Sequence, residues 1–196
     1  MPEDTQLSDS DGVFLVKTAR MAVTEFLSNG KRMKLESERE KKFSFNAGVF
    51  VTLNNADGLR GCIGFPMPEK KLSHGIIDAA IAAATEDPRF SPVKTDELGD
   101  IVFEVTVLTP PVEIIVTDPM EYLEKIKVGR DGLIIRNSFS SGLLLPQVPV
   151  EYGWNVEEFL QHTCEKAGLE KDTWKNEKVK IEKFEGIVYK EETNGS

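Results

Sequence analysis

The stretch Leu59-Arg60-Gly61-Cys62-Ile63-Gly64 concentrates the chemistry of this chain. In a strand, alternate side chains share a face. Leu59 and Ile63 then point one way, and Arg60 and Cys62 the other. A guanidinium beside a thiol favours the thiolate, which describes an activated cysteine with an anion-binding group next to it. Gly61 and Gly64 weaken a strand but let a ligand or another backbone come close. The same residues have a plainer explanation. Free cysteine is among the most buried residue types and packs as a small hydrophobe, and strand glycines mark bulges or tight bends. From the residues alone the plainer explanation is the default.

Other side chains offer chemistry at longer range. Asp87 and Arg89 flank Pro88; they either bring a carboxylate and a cation beside Arg60 and Cys62 or form an ion pair and cap that holds their own loop. Glu104 lies among Val102, Phe103, Val105 and Val107 on one strand face with Thr106. A wet sheet face accounts for it; buried, its raised pKa suits a general base. His74 follows Cys62 by about a dozen residues, which allows a Cys–His dyad, although a polar helix-start histidine is the commoner case. Gln147 either points its amide into a binding site or holds its own loop. Cys164 falls in register with Val156, Leu160 and Ala167 and reads as core. The catalytic candidates are therefore Cys62, as nucleophile or redox-sensitive thiol, and Glu104. The ligand-binding candidates are Arg60, Gly61, Gly64, Asp87, Arg89 and Gln147. The spacing of two cysteines and two histidines suggests no converging metal site, and Gly129-Arg130-Asp131-Gly132 lacks the Gly-Lys-Ser/Thr ending of a phosphate loop. No cofactor is expected.

These residues need elements to hold them. Ser8 to Asp11 offer N-caps for a helix whose apolar residues recur from Val13 to Leu27, with Gly30 as its stop. Ala47–Leu53 and Leu59–Phe65 read as a hairpin around the Asn-Asn-Ala-Asp-Gly turn. Leu72–Thr85 is an Ala-rich helix broken by Asp87-Pro88. Ile101–Leu108 alternates as a strand, and a short strand, 112–116, and a short helix opening at Asp118-Pro119 follow it. Leu133–Arg136 is a strand, and 138–142 reads as a flexible link. Asn155 and Glu158 open a helix that Gly168 stops. Trp154 and Trp174 flank that helix and are expected to pack it. Val179–Tyr189 is the last strand. This mixture predicts an α+β fold, a mostly antiparallel sheet flanked by helices, as one domain over residues 1–190 with a disordered tail at 191–196.

The composition narrows the partners. The chain has 196 residues and a net charge of −9, which argues against strong nucleic-acid binding driven by phosphate neutralisation. All of that net charge lies in residues 43–196. The mixed run Lys31 to Lys42 carries Glu36, Glu38 and Glu40 among its cations and reads as a solvated loop or helix. No targeting or membrane segment is legible, which leads us to expect a cytoplasmic protein with reduced thiols.

The segment Leu59–Gly64 resembles the signature of the AMMECR domain family. Further pieces match: Gly48-Val49-Phe50-Val51-Thr52-Leu53, Asp87-Pro88-Arg89-Phe90, Leu144-Leu145-Pro146-Gln147-Val148, and Phe159-Leu160 to Lys166-Ala167-Gly168. The resemblance covers roughly Asp9 to Tyr189, with Arg60, Cys62 and Arg89 intact. It implies an α+β fold of two unequal lobes with a cleft between them. It also implies a prokaryotic setting beside Memo-type and radical-SAM proteins, and it carries no assigned reaction. The leading expectation is an enzyme or enzyme accessory subunit that binds a small anionic or nucleotide-like ligand in that cleft near Arg60. The alternative is a non-catalytic regulatory module that binds protein or nucleic acid, and a third is a structural partner of a Memo-like subunit.

Overall fold

A computed structural model of the chain describes residues 7–176 and 179–192. It divides into two compact units of unequal size: unit 1 holds Met1–Leu108 and Ile187–Ser196, and unit 2 holds Thr109–Gly186. Helices accompany antiparallel sheets in both, so the fold is α+β as the pattern predicts.

Unit 1 begins with helix α1, Asp9–Asn29. Ser8 and Asp11 form a reciprocal cap at its start, and Gly30, in the left-handed region at φ 71°, donates its N–H to the Phe26 carbonyl at its end. The short α2, Ser37–Lys42, buries none of its residues, in keeping with its interleaved charges. Strands β1 (Val49–Asn55) and β2 (Gly58–Phe65) form the expected hairpin. β3 (Val102–Leu108) pairs with the other side of β1, giving the order β2-β1-β3. Helix α3, Leu72–Thr85, packs on this sheet together with α1. Val49, Val51, Leu53, Phe103, Val105 and Val107 are buried on the helix side. The intervening residues Phe50, Thr52, Glu104 and Thr106 are only partly buried. The sheet thus has one dry face and one half-wet face. Phe43, fully buried, stacks on Phe14 and anchors the segment that leads into β1. Each such large apolar side chain contributes about 1.5–3 kcal/mol by leaving water.

Unit 2 carries β4 (Val112–Glu113), α4 (Tyr122–Lys125), β5 (Asp131–Arg136), β6 (Ser141–Leu144), α5 (Gln147–Tyr152), α6 (Val156–Lys166) and most of β7 (Lys180–Lys190). β7 pairs with both β4 and β5, and β5 with β6. The segment 138–142, expected as a flexible link, instead completes the β5–β6 hairpin. Asn137 Oδ1 accepts the N–H groups of Phe139 and Ser140 and so closes the turn. A Cβ on Gly142 would lie 2.3 Å from the Ala167 backbone nitrogen, so the glycine lets α6 come down on the strand. Cys164 is fully buried in α6 as its register predicts, and burial pushes its thiol up to about 11. Trp174 is buried in the same core, and Trp154 packs against it with its ring stacked on Tyr152 and on His162 of α6, as expected.

At the C-terminus, Glu191 is held in unit 1 rather than free. Arg20 donates two hydrogen bonds to its carboxylate, which also accepts the Phe103 N–H, and the Glu191 N–H donates to the Phe103 carbonyl. Residues 193–196 of the expected tail lie outside the described residues. Among the described residues no helix is long and apolar enough to cross a membrane.

Candidate functional site

The site grows out of one position on β2. Cys62 stands opposite Thr52 of β1, and Thr52 stands opposite Glu104 of β3. The Cys62 N–H donates to Asp87 Oδ2 at 2.8 Å, and its carbonyl accepts from Arg89 Nη2 at 3.3 Å. Both backbone groups therefore point away from β1, which makes Thr52–Cys62 a non-hydrogen-bonded pair, the kind whose side chains stand closest. Accordingly Thr52 Oγ1 and Cys62 Sγ lie 3.3 Å apart. Thiol, hydroxyl and carboxylate form one row across three strands on the half-wet face, and all three residues are partly exposed.

β2 is the edge strand, and Asp87 with Arg89 takes the place of the missing neighbour. Asp87 lies just beyond α3, where Pro88 prevents the helix from continuing. Its side chain is only 2% exposed. It accepts Arg89 Nε at 3.0 Å and Nη2 at 2.7 Å, together with the Arg89 N–H at 3.1 Å. The Arg89 guanidinium, aided by the Cys62 and Arg89 amides, holds the Asp87 carboxyl far below the usual carboxylate range against the opposing effect of burial. The Arg89 side chain is 55% exposed, and its guanidinium lies over the Phe90 ring at 5.5 Å. The Asp87–Arg89 ion pair holds its own loop, and it does so against the Cys62 backbone.

Arg60 behaves differently from its sequence expectation. β1 and β2 shift register between Leu53 and Asn54, with Leu53 opposite Gly61 and Asn54 opposite Leu59. Arg60 is the extra residue of this bulge, and a bulge re-aims its side chain. Its guanidinium donates to both Glu97 carboxylate oxygens, at 2.8 and 3.1 Å, and to the Ser91 carbonyl at 2.9 Å. Only 12% of its side chain is exposed. Arg60 in turn lowers the pKa of Glu97, which also accepts the Lys94 N–H. Arg60 is thus a fastener between β2 and the 3-10 turn Thr95–Gly99 rather than a cation resting on the thiol.

The close approaches that the two glycines permit are filled by the protein itself. A Cβ on Gly61 would lie 2.2 Å from the Ala83 carbonyl of α3, and one on Gly64 would lie 2.4 Å from the Phe50 ring. Glu104 has no hydrogen bond or ion pair to the described residues and faces the half-wet side. His74 Nε2 meets Glu40 at 3.2 Å, not Cys62. Gln147 belongs to unit 2, where it is exposed at the start of α5. Two residues of the site escaped the sequence reading. Thr52 gave a signal only through hairpin register, and Glu97 gave none, standing 37 residues from its partner. Among the described residues no group of three or more His, Cys, Asp or Glu could hold a metal ion.

The likeness to known proteins covers both units. The AMMECR1 family model matches residues 16–189. A protein of Thermococcus onnurineus is 50% identical over 192 residues, covering 95% of this chain and 93% of its own length. Protein MJ0810 of Methanocaldococcus jannaschii is 52% identical over 187 residues, covering 94% and 92%. The crystal structure of the uncharacterized protein PH0010 from Pyrococcus horikoshii superposes with a TM-score of 0.79 at 49% identity, covering 95% of this chain and 94% of that one. A family match over most of the length, with relatives near half identity, means that this chain belongs to the AMMECR1 family.

Proposed function

We propose that this protein is an enzyme or enzyme accessory subunit whose unit 1 binds a small anionic or nucleotide-like ligand at the β2 edge, with the Cys62 thiol as the group that meets it. The observation that carries this reading is the clamping of Cys62. Both of its backbone groups are held by Asp87 and Arg89, and its sulfur by Thr52, at 2.8, 3.3 and 3.3 Å. A partly exposed cysteine whose backbone is held at two points and whose sulfur is held at a third is pre-organised for a reacting partner. Arg89, whose side chain is 55% exposed, supplies the cation for an anion, and Glu104 is the carboxylate on the same face for proton transfer. Arg60 ties the strand to Glu97 and the Ser91 carbonyl.

Thermal denaturation with adenosine monophosphate and with inorganic pyrophosphate tests the binding. A ligand at 100 times its Kd stabilises the folded state by about 2.7 kcal/mol, a rise of roughly 5–10 °C for a chain of this size. The rise is expected to fall sharply in Arg89→Gln, while Glu104→Gln retains it. No rise with either compound, or a rise indifferent to Arg89→Gln, overturns the reading. Through the family resemblance, the protein partner for such a subunit is a Memo-type or radical-SAM protein in the cytoplasm. Co-purification with that partner, lost on substitution of Arg89 or Cys62, is the expected result.

A further inference from the structure

A cavity in unit 1, of about 860 Å³, lies at the opposite end of α3 from Asp87 and Arg89. At 1.5 Å per residue the 14 residues of α3 put roughly 20 Å between the two places. Met33, Leu35 and Ile77 give the cavity an apolar wall, and Arg32, Lys34, Lys70 and Lys71 line it with four cations. Three carboxylates also line it. Asp78 is shared by Arg32 and Lys70, Glu40 pairs with His74, and Glu69 has no ion pair with the described residues. Lys34 and Lys71 are exposed and likewise have no ion pair with the described residues. A chain of net charge −9 therefore keeps a local excess of cation around this cavity. Lys71 is the N-cap residue of α3, and the first turn holds no acidic side chain to answer the positive end of the helix dipole.

Ser73, on the same cavity wall, is the independent sign of a missing partner. It is 0% exposed and its Oγ has no hydrogen-bond partner. Buried hydroxyls are almost always paired, and one without a protein partner is met by ordered water or by a ligand group. The backbone N–H groups of Leu72 and Ser73 are already given to the Phe45 and Phe43 carbonyls. The side chains, rather than the helix amides, are what remain for a ligand.

We propose that this cavity binds a small molecule with a phosphate or carboxylate group on an apolar body. The anionic group meets Lys34, Lys71 and the Ser73 hydroxyl, and the body lies against Met33, Leu35 and Ile77. This site is separate from the one at Cys62. The test is a titration of the isotopically labelled full chain, followed by amide NMR shifts, with phenyl phosphate, benzoate and inorganic phosphate as probes. Phenyl phosphate or benzoate is expected to give saturable shifts confined to residues 32–35 and 70–78, about fivefold tighter than inorganic phosphate, which lacks the apolar body. The tighter of the two aromatic probes assigns the group as phosphate or carboxylate. The exposed pair Lys34→Ala/Lys71→Ala, which leaves the core untouched, is expected to weaken binding about tenfold, and Ser73→Ala to weaken it without altering the amide spectrum elsewhere. Absence of saturable shifts at about 10 mM probe, shifts centred on residues 60–64 and 87–91, or an affinity unchanged in the double variant overturns the proposal.

Discussion

Asp87→Asn is the most informative single substitution. The Asp87 carboxylate accepts four hydrogen bonds: the Cys62 amide at 2.8 Å, the Arg89 amide at 3.1 Å, and Arg89 Nε and Nη2 at 3.0 and 2.7 Å. It does so with 2% of its side chain exposed. An asparagine keeps one oxygen and presents an NH₂ group to donors that need acceptors. At least one donor is left without its partner, at about 1–3 kcal/mol, and the Arg89 charge loses its counter-ion. The expected loss at pH 7 is about 3 kcal/mol, read as a shift of the urea midpoint at unchanged slope. The difference has a signed pH dependence. The folded-state pKa of Asp87 is depressed by Arg89, so its stabilisation is full above the unfolded carboxylate value of about 3.9 and is lost as pH falls below it. Urea curves of both proteins from pH 7 to pH 2.5 are expected to keep a constant gap down to about pH 4.5. Below that the gap narrows by up to about 1.4 kcal/mol per pH unit, the slope for one proton. A loss below about 1 kcal/mol at pH 7, or a gap that persists unchanged to pH 2.5, refutes a buried, charged Asp87 as the clamp of β2.

Three further outcomes follow from the same geometry. Gly61→Ala drives a methyl group into the Ala83 carbonyl, at 2.2 Å, and is expected to cost about 2 kcal/mol or more in urea denaturation, whereas Gly99→Ala, with nothing within 4 Å of the new Cβ, stays within about 0.5 kcal/mol. Glu191→Gln removes the charge that meets Arg20 and the Phe103 amide and is expected to lower stability by about 2 kcal/mol; burial alone raises the pKa of Glu191, but Arg20 overrides it, so this loss also shrinks at acid pH. Cys164, whose thiol burial lifts to about 11, is expected to resist iodoacetamide at pH 7–9 in the folded protein and to react only after unfolding, as peptide mass spectrometry reports.

What the residues reveal without coordinates follows the range of the interaction. α3, the β1–β2 hairpin and the caps at Ser8 and Asn155 are legible because local periodicity and turn chemistry determine them. So is the core position of Cys164, one helical stripe from Leu160. Arg60 is misread because strict strand alternation puts it beside Cys62, whereas a one-residue bulge sends it to Glu97. Gly61 marks a bulge as one reading of this strand, but only pairing across the sheet shows that Arg60 is the residue it re-aims. The 138–142 segment reads as a link because serine and glycine dominate it, yet Gly142 is there for the close approach of α6. Glu191 reads as tail because its partners, Arg20 and Phe103, are 171 and 88 residues away. The Cys62 row was half visible: alternation places Cys62 and Glu104 on strand faces, but only register shows that Thr52 lies between them.

Cys62 is proposed above as a pre-organised thiol in a partly exposed residue. The most direct test is the rate of iodoacetamide alkylation at pH 7, resolved by peptide mass spectrometry, for the folded protein and for the same chain unfolded in urea. Folded Cys62 is expected to react faster than unfolded Cys62, Thr52→Val, which removes the hydroxyl at 3.3 Å, is expected to abolish the advantage, and Cys164 is expected to stay unlabelled in the folded state. A folded Cys62 that reacts no faster than in the unfolded chain, or does not react at all, contradicts the proposal.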